Sequence, residues 1–148
     1  MQPPRPIDDL LRTLLARYAT VRPDGLVLDP GAKPVADVMA KLVRSGPART
    51  LYRDKHPDCR SLDGVRSLTG RECASCPERS GCTPQILVDL EIDRLPYRLL
   101  LSFTSAKNFL LLVDRLRRES RPVEGARVRV RVVNRGRWGE VSFDPALA

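Results

Sequence analysis

Residues 85–103 read QILVDLEIDRLPYRLLLSF, and this stretch sets the architecture of the chain. Its first half alternates apolar residues with mainly acidic ones at a period of two, which is typical of a half-buried strand. The turn Arg94-Leu95-Pro96 follows. A second strand then presents an inward face made of every second residue: Tyr97, Leu99, Leu101 and Phe103. The stretch therefore predicts an antiparallel β-hairpin.

Downstream of this hairpin, the pattern changes to that of a helix and then returns to strands. A helix is predicted from about residue 104 to residue 119, with an apolar stripe of Phe109, Leu112, Val113 and Leu116. Residues 126–134 and 138–143 are predicted to form two further strands joined by a tight turn. Arginine and valine alternate strictly in residues 127–132.

Upstream of the hairpin, two helices and a strand are predicted. Residues 7–18 carry an apolar stripe at helical spacing, and residues 34–44 do so through Val35, Val38, Met39, Leu42 and Val43. Residues 48–54 follow as an extended strand. The first helix would either pack on the core, or dock on a partner protein or a second copy of the chain.

All four cysteines precede the hairpin, in the pattern Cys59-x13-Cys73-x2-Cys76-x5-Cys82. Four thiolates at this spacing can complete a tetrahedral structural zinc site. Residues 57–84 are rich in glycine and proline and have few apolar residues to hold a shape without such a staple. His56 could replace one cysteine as a ligand, and two disulfides or free buried thiols are the alternatives to zinc. A closed four-ligand site indicates a structural metal.

Together these elements predict an α+β protein with a mainly β core. The predicted fold is an OB-fold-like five-stranded barrel with a zinc-ribbon insert and two N-terminal helices. Residues 1–47 would form a helical extension and residues 48–148 the barrel, with the zinc-binding insert at 57–84. A small α+β sheet with the helix packed across it is the second possibility.

Three segments of the chain carry a resemblance to a known family. They read PDCRSLDG at residues 57–64, Cys73-x2-Cys76-x5-Cys82, and LPYRLLL at residues 95–101 with Thr104-Ser105 after it. Residues 57–143 are thus similar to zinc-ribbon-containing OB-fold single-stranded DNA-binding proteins of phages and mobile elements. The resemblance implies a DNA-binding role for this part of the chain, and it does not extend to the first 47 residues.

The chain is basic, with a formal net charge of +8, and nine arginines stand with only two glutamates between residues 115 and 137. Arginines that neutralise phosphates, together with aromatic rings that stack on bases, are typical of single-stranded nucleic-acid binding. We expect DNA rather than RNA as the partner. The predicted contacts are Arg127, Arg129, Arg131, Arg135, Arg137, Trp138, Tyr97 and Tyr52. Alternatively, Asp89, Glu91 and Asp93 would pair with arginines of a neighbouring strand and leave a solvated face.

Other classes of function fit the sequence less well. A single histidine and the lack of an acidic metal cluster, a glycine-rich phosphate loop or a nucleophile motif argue against an enzyme. No apolar stretch is long enough for a membrane span and no secretory signal leads the chain, which predicts a cytoplasmic protein. The competing class is a zinc-stabilised protein–protein adapter of a transcription, replication or defence complex, with residues 7–18 as its hydrophobic contact.

Overall fold

The structure, a computed structural model, describes residues 16–54 and 56–146. Within these residues the chain forms nine strands and one α-helix. Their bounds are β1 (Arg17–Tyr18), β2 (Thr20–Arg22), β3 (Gly25–Val27), β4 (Asp37–Arg53), β5 (His56–Ser61), β6 (Thr83–Ile92), β7 (Leu95–Ser102), α1 (Phe103–Arg118), β8 (Arg127–Asn134) and β9 (Gly139–Pro145). A short 3₁₀ helix, Arg79–Gly81, precedes β6.

The long strand β4 connects the parts of the main sheet. Seven strands form this mixed sheet in the order β1-β7-β6-β4-β8-β9, with β5 paired to the end of β4. One edge of β4 pairs with β6 over residues 41–50, and the other pairs with β8 over residues 37–41 and with β5 over residues 49–53. Strands β2 and β3 form a separate two-stranded sheet.

The main apolar core lies against helix α1. Its largest buried side chains on the helix are Phe109, Leu112 and Leu116, and they pack with the inward residues of the sheet strands. The rings of Phe109 and Phe143 meet edge to face, with centroids 5.4 Å apart. The apolar stripe predicted for this helix is therefore the face that enters the core.

Helix α1 also covers the outer edge of β9, the last strand of the sheet. The backbone N–H of Val141 donates to Ser105 Oγ at 2.9 Å, and Asn108 Nδ2 donates to the carbonyl oxygen of Val141 at 2.9 Å. These bonds satisfy backbone groups that would otherwise be left open at a sheet edge.

Strand β6 is buried on both of its faces. Leu87 and Val88 are neighbours in the sequence and both are buried, although side chains alternate across a strand. Val88 belongs to the main core. The register places Leu87 on the opposite face, together with the buried residues Ala48 and Gln85. The sheet thus has a second, smaller buried side.

The predicted barrel of five strands with two N-terminal helices is wrong. The main sheet has seven strands, and residues 37–44 of the second predicted helix are the beginning of β4. Residues 7–15 of the first predicted helix lie outside the described residues, and Arg17–Tyr18 form β1. Strand β4 also crosses the predicted domain boundary between residues 47 and 48.

A β-bulge explains why the beginning of β4 resembles a helix in the sequence. The register between β4 and β6 shifts between Leu42 and Arg44, so β4 has one additional residue there. Val38, Ala40 and Leu42 alternate towards the core as a strand requires. The extra residue, Val43, breaks this alternation and creates an apolar spacing that mimics a helical stripe.

The elements predicted after the cysteines are confirmed. Strands β6 and β7 form the first hairpin, α1 follows directly, and β8 pairs with β9 in the second hairpin. Among the described residues, none of the helical structure is both long and apolar enough to cross a lipid bilayer.

Candidate functional site

The four cysteines come from three local structures. Cys59 lies in β5, beside a bulge in the pairing of that strand with β4. Cys73 and Cys76 lie in the following loop, where Cys76 N–H donates to the carbonyl oxygen of Cys73 at 3.2 Å. Cys82 follows the short 3₁₀ helix, and its N–H donates to the carbonyl oxygen of Arg79 at 3.1 Å. Tight turns therefore fix the spacing of the last three cysteines.

Asp63 holds the loop that leads from Cys59 to Cys73. Its Oδ1 atom accepts hydrogen bonds from the backbone N–H groups of Val65 (2.8 Å) and Arg66 (2.9 Å) and from the hydroxyl of Ser61 (3.0 Å). The bonds from the Arg66 and Val65 amides favour the ionised carboxylate and lower the pKa of Asp63. The pair Ser61 and Asp63 thus shapes a turn beside Cys59.

All four cysteines line one small cavity, and Arg49, Arg71 and Arg79 line it with them. The four thiols are free and each cysteine is half-buried. Burial raises the pKa of Cys82, and the other three thiols raise it further because they lie close by. As placed, however, no three His, Cys, Asp or Glu side chains within the described ranges meet the geometry needed to hold a metal ion.

The arginines of β8 are largely neutralised by nearby carboxylates. Arg129 Nε donates to both carboxylate oxygens of Asp37, at 2.8 and 2.9 Å, and Arg131 Nη2 donates to Asp144 at 2.6 Å. In the turn after β8, Arg135 lies 3.3 Å from Glu140. The hydrogen bond from Arg129 lowers the pKa of Asp37. Arg127 is exposed on the same face of β8.

The alternative of ion pairs with a neighbouring strand is confirmed for Asp89, which lies 3.2 Å from Arg98 of β7 and 3.4 Å from Arg44 of β4. These arginines are not those of β8. The acids that meet the arginine strand come from β4 and β9. A solvated, charge-balanced face therefore exists on β8, with partners that only the sheet order could identify.

The aromatic residues divide into buried and exposed ones. Tyr97 is 3% exposed in the main core and offers no ring face to a ligand. Tyr52 and Trp138 are 41% and 47% exposed. Phe103, which the strand pattern assigned to the inward face, is 78% exposed. It begins α1 with a φ of 47°, a left-handed conformation that turns its ring away from the core.

Phe103 and Trp138 line the same open groove, which has a volume of about 640 Å³. Arg22 and Arg137, which are both exposed, line it with them. Within the described part of the chain, neither arginine has a carboxylate at ion-pair distance, in contrast to Arg129 and Arg131 of β8. We call this surface the aromatic groove, lined by Arg22, Phe103, Arg137 and Trp138 with the hydroxyl residues Ser102 and Thr104.

A glycine brings the two arginines of the groove together. At Gly139, which follows Trp138, a Cβ atom would clash with the carbonyl oxygen of Arg22. The absence of a side chain therefore lets β2 approach the beginning of β9. The turn before Gly139 is closed by Arg135 N–H, which donates to the carbonyl oxygen of Trp138 at 2.9 Å. Backbone contacts thus position both Arg137 and Trp138.

A chain of polar side chains runs through the smaller buried side of the sheet. Arg60 Nε donates to Thr50 Oγ1 at 3.2 Å, and Thr50 Oγ1 donates to Gln85 Oε1 at 2.5 Å. Gln85 Nε2 then donates to Ser102 Oγ at 2.6 Å and to the Tyr52 hydroxyl at 3.3 Å. We call these residues the polar chain; it connects β5 of the cysteine segment to the edge of the aromatic groove.

Sequence reasoning missed two members of the groove. Arg22 lies in a short turn-rich stretch far from the basic C-terminal region, and nothing in its surroundings distinguishes it. Phe103 could have been identified from the sequence. It directly precedes the predicted start of the helix, where the alternation of the strand must end. Of the predicted contacts, the structure places Arg137 and Trp138 in the groove and Tyr52 near its edge.

Comparison of the chain with protein-family models, with curated proteins and with solved structures finds no match. The similarity to phage-type single-stranded DNA-binding proteins therefore stays a prediction that rests on the sequence motifs.

Proposed function

We propose that this chain is a non-enzymatic protein that binds single-stranded nucleic acid, DNA in preference to RNA, in the aromatic groove. The observation that carries the proposal is the meeting, on one concave surface, of two exposed rings and two exposed arginines that have no carboxylate at ion-pair distance among the described residues. Rings and cations of this kind are the two components that single-stranded nucleic-acid sites combine.

The chemistry of the groove suits an unpaired strand. Phe103 and Trp138 would stack on bases, and a stacked base contributes about 1–3 kcal/mol to binding. Arg22 and Arg137 would contact the phosphates between these bases and release their counterions. Bases in a duplex are already stacked and paired, so a duplex could offer the groove only its phosphates. We therefore expect the protein to prefer single strands.

The arginine face of β8 has a secondary role in this proposal. An arginine that already donates to a carboxylate must give up that bond, or share it, before it neutralises a phosphate. Arg129 and Arg131 are in this position. Their contribution to nucleic-acid affinity should therefore be smaller than the number of arginines in the strand suggests.

We also propose that Cys59, Cys73, Cys76 and Cys82 hold a structural Zn²⁺. Four thiols that line one cavity provide a complete donor set, and binding would draw them together from their present positions. Four thiolates around Zn²⁺ leave two formal negative charges, and Arg49, Arg71 and Arg79 lie around the cavity to balance them. The metal would supply a cross-link for a segment with little apolar core.

The test is fluorescence anisotropy with a labelled single-stranded oligonucleotide and a duplex of the same sequence, titrated at several salt concentrations. The protein is used with zinc, and its metal content and folding are measured first. We expect the single strand to bind more tightly than the duplex and its affinity to fall steeply with salt. Absence of binding at low salt, with folded and zinc-loaded protein, would reject the proposal and favour the protein–protein adapter.

A further inference from the structure

The polar chain links two regions that are far apart in the sequence. Arg60 is flanked in β5 by Cys59 and by Ser61 of the Asp63 turn. Ser102, at the other end, immediately precedes Phe103 of the aromatic groove. The two middle members are among the most buried polar residues described, since Thr50 is 0% exposed and Gln85 is 5% exposed. Buried polar groups of this kind are costly to leave unpaired, so a shift at one end disturbs the next bond.

Ser102 has two competing uses for its hydroxyl group. It occupies the N-cap position of α1, with the extended backbone conformation of a cap, yet its side chain makes no capping hydrogen bond. A serine at this position ordinarily accepts a bond from a backbone N–H of the first helical turn. Here its oxygen accepts from Gln85 Nε2 at 2.6 Å. The strand-to-helix junction therefore has two arrangements available, one held by Gln85 and one held by the helix.

Phe103 makes this junction sensitive to its surroundings. A φ of 47° is unfavourable for an aromatic residue and persists only where neighbouring contacts hold it. The bond from Gln85 fixes the preceding residue and helps to keep the ring on the exposed side. Loss of that bond would allow Ser102 to cap the helix and Phe103 to leave the left-handed region, with a change in the groove.

We infer that the polar chain couples the cysteine segment to the aromatic groove, so that metal binding by the four thiols and strand binding by the groove strengthen each other. Metal binding orders β5 and fixes the position of the Arg60 side chain. The hydrogen bonds of the polar chain then fix the side chains of Thr50, Gln85 and Ser102 in turn. This inference rests on the proposed function for its ligand, but the coupling itself is a property of the protein alone. Coupling between two sites is reciprocal, so each ligand must raise the affinity for the other by the same factor.

The experiment compares wild type with Thr50→Val and with Thr83→Val. Valine has nearly the shape of threonine, so Thr50→Val removes the middle hydroxyl of the polar chain with little change in volume. Thr83 pairs with Thr50 across the β4–β6 ladder and shares its face. Within the described residues its hydroxyl takes no part in the polar chain. Thr83→Val is therefore the matched control.

The first readout needs no nucleic acid. Trp138 is the only tryptophan of the chain and lines the groove, so quenching of its fluorescence by iodide reports on the groove directly. We expect removal of zinc by a chelator to change this quenching in wild type and in Thr83→Val, and to leave it unchanged in Thr50→Val. Equal responses in all three proteins, with circular dichroism showing that they stay folded, would overturn the inference.

The second readout is zinc affinity, measured by chelator competition with and without saturating single-stranded oligonucleotide. We expect the oligonucleotide to raise zinc affinity roughly tenfold in wild type and in Thr83→Val, and to have little effect in Thr50→Val. If no oligonucleotide binds but quenching still follows zinc, the proposed function fails while the coupling stands. If oligonucleotide binds but zinc affinity does not change, the coupling fails while the function stands.

A third measurement covers the case in which chelation unfolds the protein. Hydrogen exchange is then followed in the zinc-loaded proteins at the backbone amides of residues 102–106. We expect slower exchange at the amides of residues 104 and 105 in Thr50→Val than in wild type or Thr83→Val, because Ser102, once released from Gln85, accepts a hydrogen bond from the first turn of α1. Identical exchange in the three proteins would contradict the inference.

Discussion

The arginine strand β8 and the aromatic groove are both cationic, but their charges are in different states. On β8, Arg129 and Arg131 donate to Asp37 and Asp144, which lie on neighbouring strands. In the groove, Arg22 and Arg137 stand beside exposed rings, and the residues described here place no carboxylate against them. The region with more arginines therefore presents less free charge.

This difference shows what a count of arginines measures. A row of basic residues on a sheet gains acidic neighbours from whichever strands pair with it, and an exposed ion pair contributes little to stability while it still screens the charge. A polyanion responds to charge that remains uncompensated and to rings that remain exposed. The groove has both with only two arginines, and we therefore rank it above the strand as the binding surface.

Among the variants that test this ranking, removal of the two rings should reduce the affinity for single-stranded DNA the most. We expect the double variant Phe103→Ala, Trp138→Ala to lose at least about 30-fold in affinity for single-stranded DNA, because each of the two stacked bases is worth about 1–3 kcal/mol. Both rings are exposed, so the thermal unfolding midpoint should change little. Fluorescence anisotropy and circular dichroism measure the two quantities.

A matched control for the rings is the pair Leu110→Ala, Leu111→Ala. These leucines are 56% and 57% exposed on α1 and lie outside the groove lining. We expect their removal to leave affinity unchanged. An equal loss of affinity in the control would mean that exposed apolar area in general, and not the groove, holds the strand.

Removal of arginine side chains should distinguish the aromatic groove from β8, with a smaller effect on affinity than removal of the rings. We expect Arg22→Ala with Arg137→Ala to lower affinity and to make the slope of log K against log salt shallower by about 1.4, since each phosphate contact with a single strand contributes about 0.7. The matched pair Arg129→Ala with Arg131→Ala should change affinity by less than about twofold, because these arginines are already paired. A larger loss in the second pair would reverse the ranking.

The smallest expected change in affinity comes from freeing an arginine that a carboxylate neutralises. Asp37→Asn removes the charge that neutralises Arg129, so we expect affinity for single-stranded DNA to rise, by no more than about twofold. Asp29→Asn, which releases Arg17 from its ion pair at a distant exposed position, is the control and should have no such effect. A fall in affinity for Asp37→Asn would show that the pair itself supports binding.

The same pair gives a pH dependence of known sign. Arg129 lowers the pKa of Asp37 in the folded state, whereas the unfolded chain titrates at about 3.9. The stabilising contribution of Asp37 is therefore present above pH 3.9 and is lost as the pH falls through the lower folded-state pKa. Thermal unfolding midpoints of wild type and Asp37→Asn should differ at neutral pH and converge only below that range.

Local pattern was enough to predict the elements from residue 83 onwards. Strict alternation in residues 88–92 and 127–132, with turn residues between the strands, favours one arrangement for each hairpin. The same reasoning failed for residues 34–44, because the bulge at Val43 changes the phase of the strand. Which residue of β4 bulges out of the ladder depends on how β4 pairs with β6. The sequence of β4 alone does not determine that pairing.

The candidate site was predictable in chemistry but not in place. The sequence named Arg137 and Trp138, which line the groove, and four cysteines that line one cavity. It also named Tyr97, which is buried, and it assigned Phe103 to the core. The direction of the Phe103 side chain is set at the junction with α1. There the φ angle of Phe103 is positive, and this change of sign turns the ring away from the core.

The sequence by itself determined the order of hairpin, helix and hairpin, the identity of the four thiols and the excess of positive charge. These properties depend on residues within a few positions of one another, through alternation, turn chemistry and composition. Only the tertiary structure decided which charges are neutralised, which rings are exposed and which polar groups connect the cysteine segment to the groove. Those outcomes depend on strand order and register, which bring Asp37 to Arg129 and Thr50 to Gln85 across long stretches of chain.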